Sequence, residues 1–421
     1  MKNSGVEWIG EIPDEWEITQ VKNIFNIGRG RVIAQTELDE HGKYPVYSSQ
    51  TKDNGCLGYI NTYDFDINQL TWTTDGANAG TVFLRKGKHN CTNVCGTLQL
   101  KQTSNILLFY KYALEYLTIF NKRADTNGFK IMNNEMAKII TLLPPKETQQ
   151  RIATYLDKKC SKIEETIQNQ QQVIEKLKAY KQSLITEAVT GKIKIENGKV
   201  CGEYESYKDS GVEWIGKIPS EWEVKKLKYI ADTFLKGSGI TKEEIVINGD
   251  IPCVRYGELY TKYDYHFTEC QTRTNLGIIE TPKYFSHGDV LFTCTGELVE
   301  EIGKSIAYLG NEKCLAGGDI IVLKHSQDPM FMGFALDSKY VQGQKSFGKT
   351  KLKVVHISSG EIARLLIVLP PKEEQKEIAD YLDKKCTAID IAIEQKQKLI
   401  EKLTEYKKSL IYECVTGKKE I

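Results

Sequence analysis

The chain has 421 residues, a length that predicts two or three domains of roughly 150 residues, each able to bury its own core. Its 57 Lys and Arg against 56 Asp and Glu give a formal charge of +1, which excludes a uniformly basic nucleic-acid binder and a polybasic membrane protein. With 40% apolar and 27% charged residues, the composition is that of a globular protein and excludes the disordered and collagen-like classes.

The sequence indicates neither a membrane segment nor a disulfide framework. No stretch approaches the ~18 uncharged apolar residues of a spanning helix, and no signal-peptide pattern opens the sequence, so we predict a cytoplasmic protein without a membrane partner. The 11 Cys include no CxxC pair, which favours reduced thiols. Cys91, Cys95 and His89 could form half of a zinc site, but no second ligand pair follows, and we predict buried thiols and no metal site.

The opening segment of the chain recurs in its second half. Residues 4–24 match residues 210–230 at 14 of 21 positions, with an offset of 206. Residues 143–192 match residues 369–418 at 31 of 50 positions, with an offset of 226. Runs of this length indicate that the chain is a tandem duplication of one unit.

Four of the five tryptophans lie in the repeated opening segment, VEWIGxIPxEW. They are Trp8, Trp16, Trp214 and Trp222. Because Trp contributes a large buried area and these residues recur in both copies, we predict that they anchor the constant segment rather than bind a ligand.

Between the repeated ends lie two unlike middles, residues 25–142 and 231–368, which we call the first and second variable domains. They align only patchily, for example Gly28-Arg29-Gly30 with Gly237-Ser238-Gly239. Short apolar runs among Gly, Thr and Tyr predict an α+β fold of short strands, with helices at 106–120 and 330–340. Shared ends with unlike middles suggest a constant frame that carries two different recognition modules.

Each repeated end predicts one long helix. Pro144-Pro145 and Pro370-Pro371 precede the helices, at positions where Pro is tolerated, and Gly191 and Gly417 supply the left-handed residue that ends them. Apolar residues recur at heptad spacing in both helices. The predicted seam comprises Leu156, Ile163, Ile167, Ile174, Leu177, Leu184, Leu382, Ile389, Ile393, Ile400, Leu403 and Leu410, with Gln170, Lys181, Lys396 and Lys407 in the same columns.

A seam of this length needs a partner, and the other helix is the obvious one, although packing on the helix's own domain is the alternative. A helix of about 43 residues is roughly 64 Å long, whereas the linker over 192–209 spans at most about 60 Å. We therefore predict an antiparallel coiled coil, with the two domains at its opposite ends and Gly417 close to Ser4.

The duplication also predicts the domain boundaries. The first domain covers 1–143, the first spacer helix 144–191 and the linker 192–209. The second domain covers 210–369 and the second spacer helix 370–417. The predicted fold class is therefore α+β: two globular domains separated by two long helices, with an internal pseudo-twofold repeat.

No catalytic constellation stands out in the sequence. It lacks a P-loop, HExxH, GxSxG and the kinase motifs, and Gly28-x-Gly30 lacks the third glycine of a dinucleotide fingerprint. We predict that the chain is not itself an enzyme.

Each variable domain contains a basic run without acids. Residues 76–114 include Arg85, Lys86 and Lys88, and residues 339–356 include five lysines. Basic loops with Gly, Tyr and Phe suit phosphate contacts, with neighbouring polar side chains reading base edges. A solvated face is the alternative for either run.

The whole pattern resembles the specificity subunit of a Type I restriction-modification system. The resemblance rests on WIGxIPxEW at the start of each half, on LPPKETQQRIATYLDKK and LPPKEEQKEIADYLDKK at the helix starts, and on EAVTGK and ECVTGK at the helix ends. It implies that each variable domain is a target recognition domain that reads one half of a bipartite, asymmetric DNA site. It also implies that the coiled coil sets the spacing between the two halves.

The resemblance further implies partners for the chain. Two methyltransferase (modification) subunits are expected to dock on the coiled coil and to bring S-adenosylmethionine for adenine methylation. Motor-nuclease (restriction) subunits, with ATP and Mg²⁺, are expected to join for cleavage. This chain is expected to bind double-stranded DNA but no cofactor.

Individual DNA contacts do not follow from the resemblance, because the middles are the part that varies. From charge and position we predict phosphate or base contacts by Arg29, Arg31, Lys52, Arg85, Lys86, Lys88, Lys236, Lys345, Lys349, Lys351 and Lys353. Two other functions remain open from the sequence. One is a non-catalytic adaptor with two different ligand-binding modules on a coiled-coil rod, and the other is an enzyme with an unrecognised site.

Overall fold

The fold was analysed in a computed structural model that describes residues 1–7, 9–126, 128–350 and 354–421. The chain divides into two compact units. The first unit comprises Met1–Gln171 and Lys396–Ile421, and the second comprises Gln172–Gln395. Each unit therefore contains one variable domain and parts of both long helices.

The described residues form nine α-helices. They are α1 Val21–Ile24, α2 Leu107–Asn121, α3 Asn133–Lys138, α4 Lys146–Val189, α5 Tyr256–Thr261, α6 Pro329–Leu336, α7 Lys339–Ser346, α8 Ser359–Ile362 and α9 Lys372–Val415. Short 3₁₀ turns occur at Gln35–Glu37, Lys52–Gly55, Leu227–Tyr229, Leu276–Ile278 and Val299–Glu301. No helix in the described part of the chain is long and apolar enough to cross a membrane.

The first variable domain is built on two four-stranded sheets. The first sheet has the strand order Val82–Arg85, Gln69–Thr73, Cys95–Leu100, Phe25–Arg29 and is antiparallel. The second has the order Cys56–Ile60, Tyr44–Tyr47, Lys88–Cys91, Phe65–Asp66. A small third sheet joins Arg123–Asp125, Gly128–Lys130 and Asp75–Gly76. Helix α2 lies in the same core as the first sheet, where its Phe109 and Leu114 are buried with Leu70 and Trp72.

The second variable domain has the same arrangement, with a fifth strand, His266–Phe267, added to the edge of its first sheet. Its first sheet has the order Ala231–Lys236, Ile320–His325, Val290–Thr293, Ser305–Tyr308, His266–Phe267. Its second has the order Thr272–Thr274, Ile251–Val254, Cys314–Ala316, Tyr284–Phe285, and Thr295–Gly296 pairs with Val355–His356. The sequence indicated only patchy similarity between the two middles, whereas the sheet orders show one shared topology.

Strand register corrects one alignment between the variable domains. Arg29 pairs with Gly96 and Lys236 pairs with Ile321, at equivalent places in the two sheets. The equivalent glycines are therefore Gly30 and Gly237, and the match of Gly28-Arg29-Gly30 with Gly237-Ser238-Gly239 was wrong by two residues. A Cβ at either glycine would collide with a backbone carbonyl, which explains why both positions are Gly.

The helix predicted for 106–120 is confirmed as α2, but the one predicted for 330–340 is two helices. Asp328 caps α6 by accepting a hydrogen bond from the Phe331 amide at 2.8 Å, and Pro329 occupies the first position. The chain leaves α6 at Asp337 and starts α7 after Ser338, which is extended.

Each variable domain closes on the constant frame through one strand pair. Glu17–Gln20 pairs with Ile140–Leu143, and Glu223–Lys226 pairs with Leu366–Leu369. Two further short pairs join Lys2–Asn3 to Glu11–Ile12 and Tyr207–Asp209 to Lys217–Pro219. The frame thus brings the start and end of each variable domain together at the head of a long helix.

Both long helices end at the predicted glycines. Gly191 has φ +70° and Gly417 has φ +71°, the left-handed conformation that stops a helix. A Cβ at Gly417 would press on Pro13 and Trp16, and one at Gly191 on Pro219 and Trp222. The glycines are therefore needed both for the turn and for the close fit to the opening segment.

Helices α4 and α9 pack against each other in antiparallel orientation. In the first unit, Lys407 Nζ lies 2.7 Å from Glu164 Oε1, and Lys396 Nζ lies 3.1 Å from Gln170 Oε1. In the second unit, Lys181 Nζ lies 2.6 Å from Asp390 Oδ2. Because the partner number falls as the residue number rises, the antiparallel prediction is confirmed. All twelve predicted seam residues are buried or half-buried.

The residues around Gly417 contact the opening segment, whereas the closeness of Gly417 to Ser4 itself stays a prediction. Lys418 Nζ donates a hydrogen bond to the Ile9 carbonyl at 2.7 Å. Lys192 makes the corresponding contact in the second unit, with the Ile215 carbonyl at 3.1 Å. Residues 192–209 are folded rather than slack: Lys194–Glu196 and Lys199–Gly202 form a hairpin, with Asn197 and Gly198 at positive φ in its turn.

The repeated tryptophans do not all serve as anchors. Trp16 and Trp222 are buried, and the Trp222 Nε1 donates to Glu374 Oε2 at 3.0 Å. Trp214 is 61% exposed, so the anchoring prediction is wrong for this residue. Trp8 lies outside the described residues.

Candidate nucleic-acid interface

Several loops of the first variable domain cluster at one edge of its sheets. Strand register places Arg29 and Thr73 at the same edge, because both pair with the start of strand Cys95–Leu100. Tyr47 and Cys91 pair in parallel strands, and the loops that follow these two residues lead to the same edge. We call the loops that follow Arg29, Tyr47, Thr73 and Cys91 the loop edge.

Three predicted DNA contacts lie at the loop edge. Arg29 and Lys52 are exposed. Arg31 lies beside two carboxylates, with Nη1 3.0 Å from Glu37 Oε2 and Nε 3.2 Å from Asp64 Oδ2. The hydrogen bond that Arg31 donates to Glu37 is the main reason that the pKa of Arg31 is raised. Arg29 and Lys52 therefore offer the more available positive charge.

A strained turn carries Lys52. The next residues, Asp53 and Asn54, have φ of 49° and 53°, which non-glycine residues rarely adopt. Arg85 supports this turn from inside, because its Nη1 donates to the Asn54 carbonyl at 2.7 Å. Its Nε donates to Thr71 Oγ1 at 2.9 Å. The turn is thus held in a fixed shape by an internal residue.

Arg85 itself is only 1% exposed and does not face solvent. Its guanidinium lies 3.6 Å from the centre of the Tyr47 ring, a cation–π contact, and burial lowers the pKa of the group. We correct its predicted role: it supports the loop edge and, as placed, does not reach a phosphate.

Lys86 and Lys88 lie away from the loop edge. Strand Val82–Arg85 runs antiparallel to Gln69–Thr73, so it ends at the opposite side of the sheet. Lys88 Nζ lies 4.4 Å from the Tyr63 ring centre and 4.0 Å from Asp66 Oδ2. The structure therefore does not bring these two lysines together with Arg29 and Lys52.

The second variable domain has an equivalent loop edge. Lys236 is exposed and occupies the position of Arg29. Arg255 follows strand Ile251–Val254 at the position of Ser48, because Val254 pairs with Ala316 as Tyr47 pairs with Cys91. Within the described residues, its Nε is buried without a hydrogen-bond partner. Sequence reasoning missed Arg255, although its place directly after a short apolar run was a usable signal.

The predicted basic run of the second domain is largely not a free surface. Lys345 is 1% exposed, and its Nζ donates to the Gly303 carbonyl at 2.6 Å and to Ser305 Oγ at 2.8 Å. Burial lowers the pKa of Lys345 to about 8. Lys349 Nζ contacts the His356 carbonyl at 2.6 Å and Glu361 Oε1 at 2.7 Å. We correct the role of Lys345 to an internal one, and Lys351 and Lys353 lie outside the described residues.

Each unit also contains a cleft between a long helix and the loop after its small sheet. The first unit's cleft, of about 550 Å³, is lined by Glu115, Lys122, Lys407 and Lys408 among others. The second unit's cleft, of about 730 Å³, is lined by Glu297, Glu300, Glu301, Lys304 and Lys339 among others. Both clefts carry mixed charge, which matches the near-neutral balance of the whole chain.

The cysteine and histidine group of the first domain is internal. Cys91, Cys95 and His89 are buried. His89 uses both ring nitrogens, with Nδ1 2.8 Å from the Gly87 carbonyl and Nε2 2.8 Å from the Gln69 side-chain nitrogen. Among the residues that the structure describes, no group of His, Cys, Asp and Glu could hold a metal ion.

Each unit thus contains a variable domain of the same topology, with a polar and partly basic loop edge, and parts of the two antiparallel helices. The family described as the Type I restriction modification DNA specificity domain matches residues 13–179 and 219–403. The chain therefore belongs to this family of Type I DNA specificity subunits and is not itself an enzyme.

Individual relatives agree with this assignment. The chain is 26% identical over 427 residues to the Type I restriction enzyme MjaVIII specificity subunit of Methanocaldococcus jannaschii, covering 97% of this chain and 93% of the relative. It is 40% identical over 139 residues to the putative type I specificity subunit S.MpnORF289P N-terminus of Mycoplasma pneumoniae, covering 33% of this chain and 74% of the relative. A second M. pneumoniae relative, S.MpnORF285P, is 35% identical over 191 residues, or 61% of its own length.

The fold is also found in a solved structure. One solved structure concerns the complex assembly and conformational transition of the type I R-M system. A chain in that structure matches this chain with a TM-score of 0.67 and 14% sequence identity. The match covers 97% of this chain and 100% of the other. At this identity the comparison shows the fold alone.

Proposed function

We propose that the chain recognises a bipartite, asymmetric site in double-stranded DNA, with one half read by each variable domain. The observation that carries this proposal is a shared topology with unlike residues at equivalent loop-edge positions. Arg29 corresponds to Lys236, and both are exposed cations. A position that stays basic suits a phosphate, which carries no sequence information.

Other equivalent positions differ between the two domains. Ser48 corresponds to Arg255, because each follows the strand of the parallel pair. Arg31 corresponds to Ser238, because each forms an isolated parallel β-bridge with the residue that follows the other strand of that pair. Arg recognises guanine edges by paired hydrogen bonds, whereas Ser accepts several bases. Different side chains at the same place in one fold support two different half-sites, and hence an asymmetric target.

We further propose that α4 and α9 fix the gap between the half-sites and dock two modification subunits. The constant helices present repeated exposed residues at positions 226 apart. Tyr180 and Tyr406 are 54% and 52% exposed, and each occupies the same place in its repeat. Exposed aromatic residues are typical anchors of protein interfaces. A surface that occurs twice favours two copies of one partner.

The proposed partners bring the chemistry that this chain lacks. The modification subunits would supply S-adenosylmethionine and transfer a methyl group to adenine. Restriction subunits would add the ATP- and Mg²⁺-dependent motor and nuclease. We propose that the complex acts in the cytoplasm, where it meets chromosomal and incoming DNA.

A selection experiment tests the DNA proposal. The complex of this chain with its modification subunit is used to capture fragments from a randomised duplex library, which are then sequenced. We expect two short motifs at a fixed gap. Arg255→Ser should relax one motif only, by about tenfold, and leave the other and the gap unchanged. Capture without any motif, or one continuous motif, would contradict the proposal and favour an adaptor function.

A further inference from the structure

Three polar positions of the long helices contact the variable domain in each unit, and each position occurs twice at the 226-residue offset. The first is Gln149 and its equivalent Gln375, both 1% exposed. Gln149 Oε1 accepts the Ile106 amide at 3.0 Å, immediately before α2. Gln375 Oε1 accepts the Asp328 amide at 3.0 Å, immediately before α6. An equivalent glutamine thus holds the residue before α2 in the first variable domain and the residue before α6 in the second.

The second position is Asp157 and its equivalent Asp383. Tyr112 of α2 donates its hydroxyl to Asp157 Oδ1 at 3.2 Å. In the other unit, His266 Nε2 lies 2.8 Å from Asp383 Oδ1. The constant carboxylate is the same in both units, whereas the variable domains supply different partners.

The third position is Lys407 and its equivalent Lys181, which interrupt the apolar seam. Lys407 Nζ lies 2.9 Å from Glu115 Oε1 of the first variable domain, in addition to its contact with Glu164. Lys181 Nζ lies 3.8 Å from Asp264 Oδ2 of the second variable domain, in addition to its contact with Asp390. Each lysine therefore joins the opposite helix and the variable domain at one point.

In the first unit, Lys407 and Glu115 keep their charges despite burial. Burial on its own would raise the pKa of Glu115, but the ammonium groups of Lys111 and Lys407 hold it below its ordinary value. Burial on its own would lower the pKa of Lys407, and Glu115 and Glu164 raise it above its ordinary value. The cluster is thus ionised, and its charges are compensated within the unit.

Polar contacts of this kind define orientation in a way that the apolar core does not. Burial of apolar surface has no preferred direction and tolerates small rotations of one element on another. Hydrogen bonds weaken steeply when their angle or length changes, and a buried amide or ion that loses its partner is costly. Unlike variable domains that contact the helices at the same three positions are therefore held at a defined angle to the helices.

We propose that these six residues form an orientation socket, comprising Gln149, Asp157 and Lys407 in one unit and Gln375, Asp383 and Lys181 in the other. The socket positions each variable domain so that the complex accepts only one gap between half-sites. This inference rests on the proposed function. One added base pair moves a half-site by about 3.4 Å and rotates it by roughly 35°, so a loosely held domain would tolerate altered gaps.

The test measures methylation by the complete complex of this chain and its modification subunits. Substrates carry both half-sites at the native gap and at gaps one or two base pairs shorter or longer. The wild-type complex should methylate the native gap almost alone. Asp157→Ala combined with Lys407→Met should raise methylation at altered gaps, relative to the native gap, by about tenfold, with both half-site sequences unchanged.

Matched variants separate orientation from folding. Lys178→Met is the control, because Lys178 is exposed on α4, the helix of Asp157, and its ion pair is local, with Glu175. It should keep the wild-type gap profile. Lys407→Arg retains the charge and should keep a narrow profile. Asp157→Ala alone removes the acceptor of the Tyr112 hydroxyl and should broaden the profile part-way.

Two results would overturn the socket. One is an unchanged gap profile in the double variant and in Asp157→Ala. The other is an equal loss of methylation at every gap with a lower melting temperature, which would indicate a structural role alone. A wild-type complex that methylates no bipartite substrate would instead contradict the proposed function.

Discussion

Basic residues of the variable domains that look alike in the sequence include both exposed cations at the loop edge and buried cations. Arg29 and Lys236 belong to the first group, and Arg85 and Lys345 to the second. Sequence composition alone does not separate these groups, because both consist of a basic residue near Gly and aromatic residues. Burial and strand register make the distinction.

The exposed pair gives the first prediction. Arg29→Ala and Lys236→Ala should each weaken DNA binding by the complex and lower the slope of log affinity against log salt concentration by about 0.9, the value for one phosphate contact. Titrations at several salt concentrations measure this slope. Lys86→Ala, at the opposite side of the sheet, is the control and should leave the slope unchanged. If all three variants kept the wild-type slope, the loop edge would not be part of the DNA interface.

Lys345 gives a prediction about stability. The unfolded lysine has its ordinary pKa of 10.5, and burial lowers the folded value to about 8. Between these values the folded state binds fewer protons, so the free energy of unfolding rises with pH across this window. Lys345→Met should abolish this rise, which amounts to at most about 3 kcal/mol. Urea denaturation from pH 8 to 10.5 measures it, and parallel curves for both proteins would contradict the burial of this group.

One sequence signal for the internal role of Lys345 was available. Val341 lies four residues earlier on α7 and is buried, so Lys345 shares its inward face. No comparable local signal marks Arg85, because its burial depends on the turn at Asn54, some 30 residues away in sequence. Long-range contacts of this kind are the part of the site that spacing could not predict.

At the scale of elements, the two long helices were predictable nearly to the residue. Their heptad repeat, prolines and terminal glycines are all local signals, and the observed bounds are Lys146–Val189 and Lys372–Val415. The sheets were not predictable in the same way. Their strands are short, and neighbours in a sheet are distant in sequence, so strand order follows from packing that the pattern does not encode.

The seam gives a prediction at this scale. Leu177 and Leu403 occupy equivalent half-buried positions in α4 and α9. Replacing both with Asp should lower the free energy of unfolding by about 2 kcal/mol per site, because each places a charge in an apolar seam. Circular dichroism should show reduced helical content, and docking of partner subunits should fall. Lys176→Asp, on the exposed side of α4, is the control. Full helical content and normal docking in the double variant would argue against this seam.

At the scale of the whole molecule, the near-equality of basic and acidic residues has a physical explanation. The loop edges carry only a few exposed cations, Arg29, Lys52 and Lys236, while Arg31, Lys349, Lys181 and Lys407 are compensated by neighbouring carboxylates. Such a chain would bind DNA weakly without the correct sequence, because non-specific affinity depends on the number of phosphates neutralised.

The repeated exposed tyrosines predict the composition of the complex. Tyr180→Ala or Tyr406→Ala should each reduce binding of modification subunits from two to one, and the double variant should bind none, because a central aromatic anchor contributes about 2 kcal/mol or more. Native mass spectrometry of the purified complex counts the subunits. Tyr229→Ala is the control, because Tyr229 is 70% exposed but its equivalent in the other repeat is Asn23, so this tyrosine does not occur twice. Two subunits on the double variant would place the docking surface elsewhere.

The most direct test of the account is a map of methylated adenines in cells that contain or lack this chain, with its modification subunit present in both. The account predicts one bipartite, asymmetric motif with a fixed gap, methylated on both strands and lost when the chain is absent. An identical methylation map in both cells, or a dependent motif that is continuous, would contradict recognition of two half-sites by two variable domains.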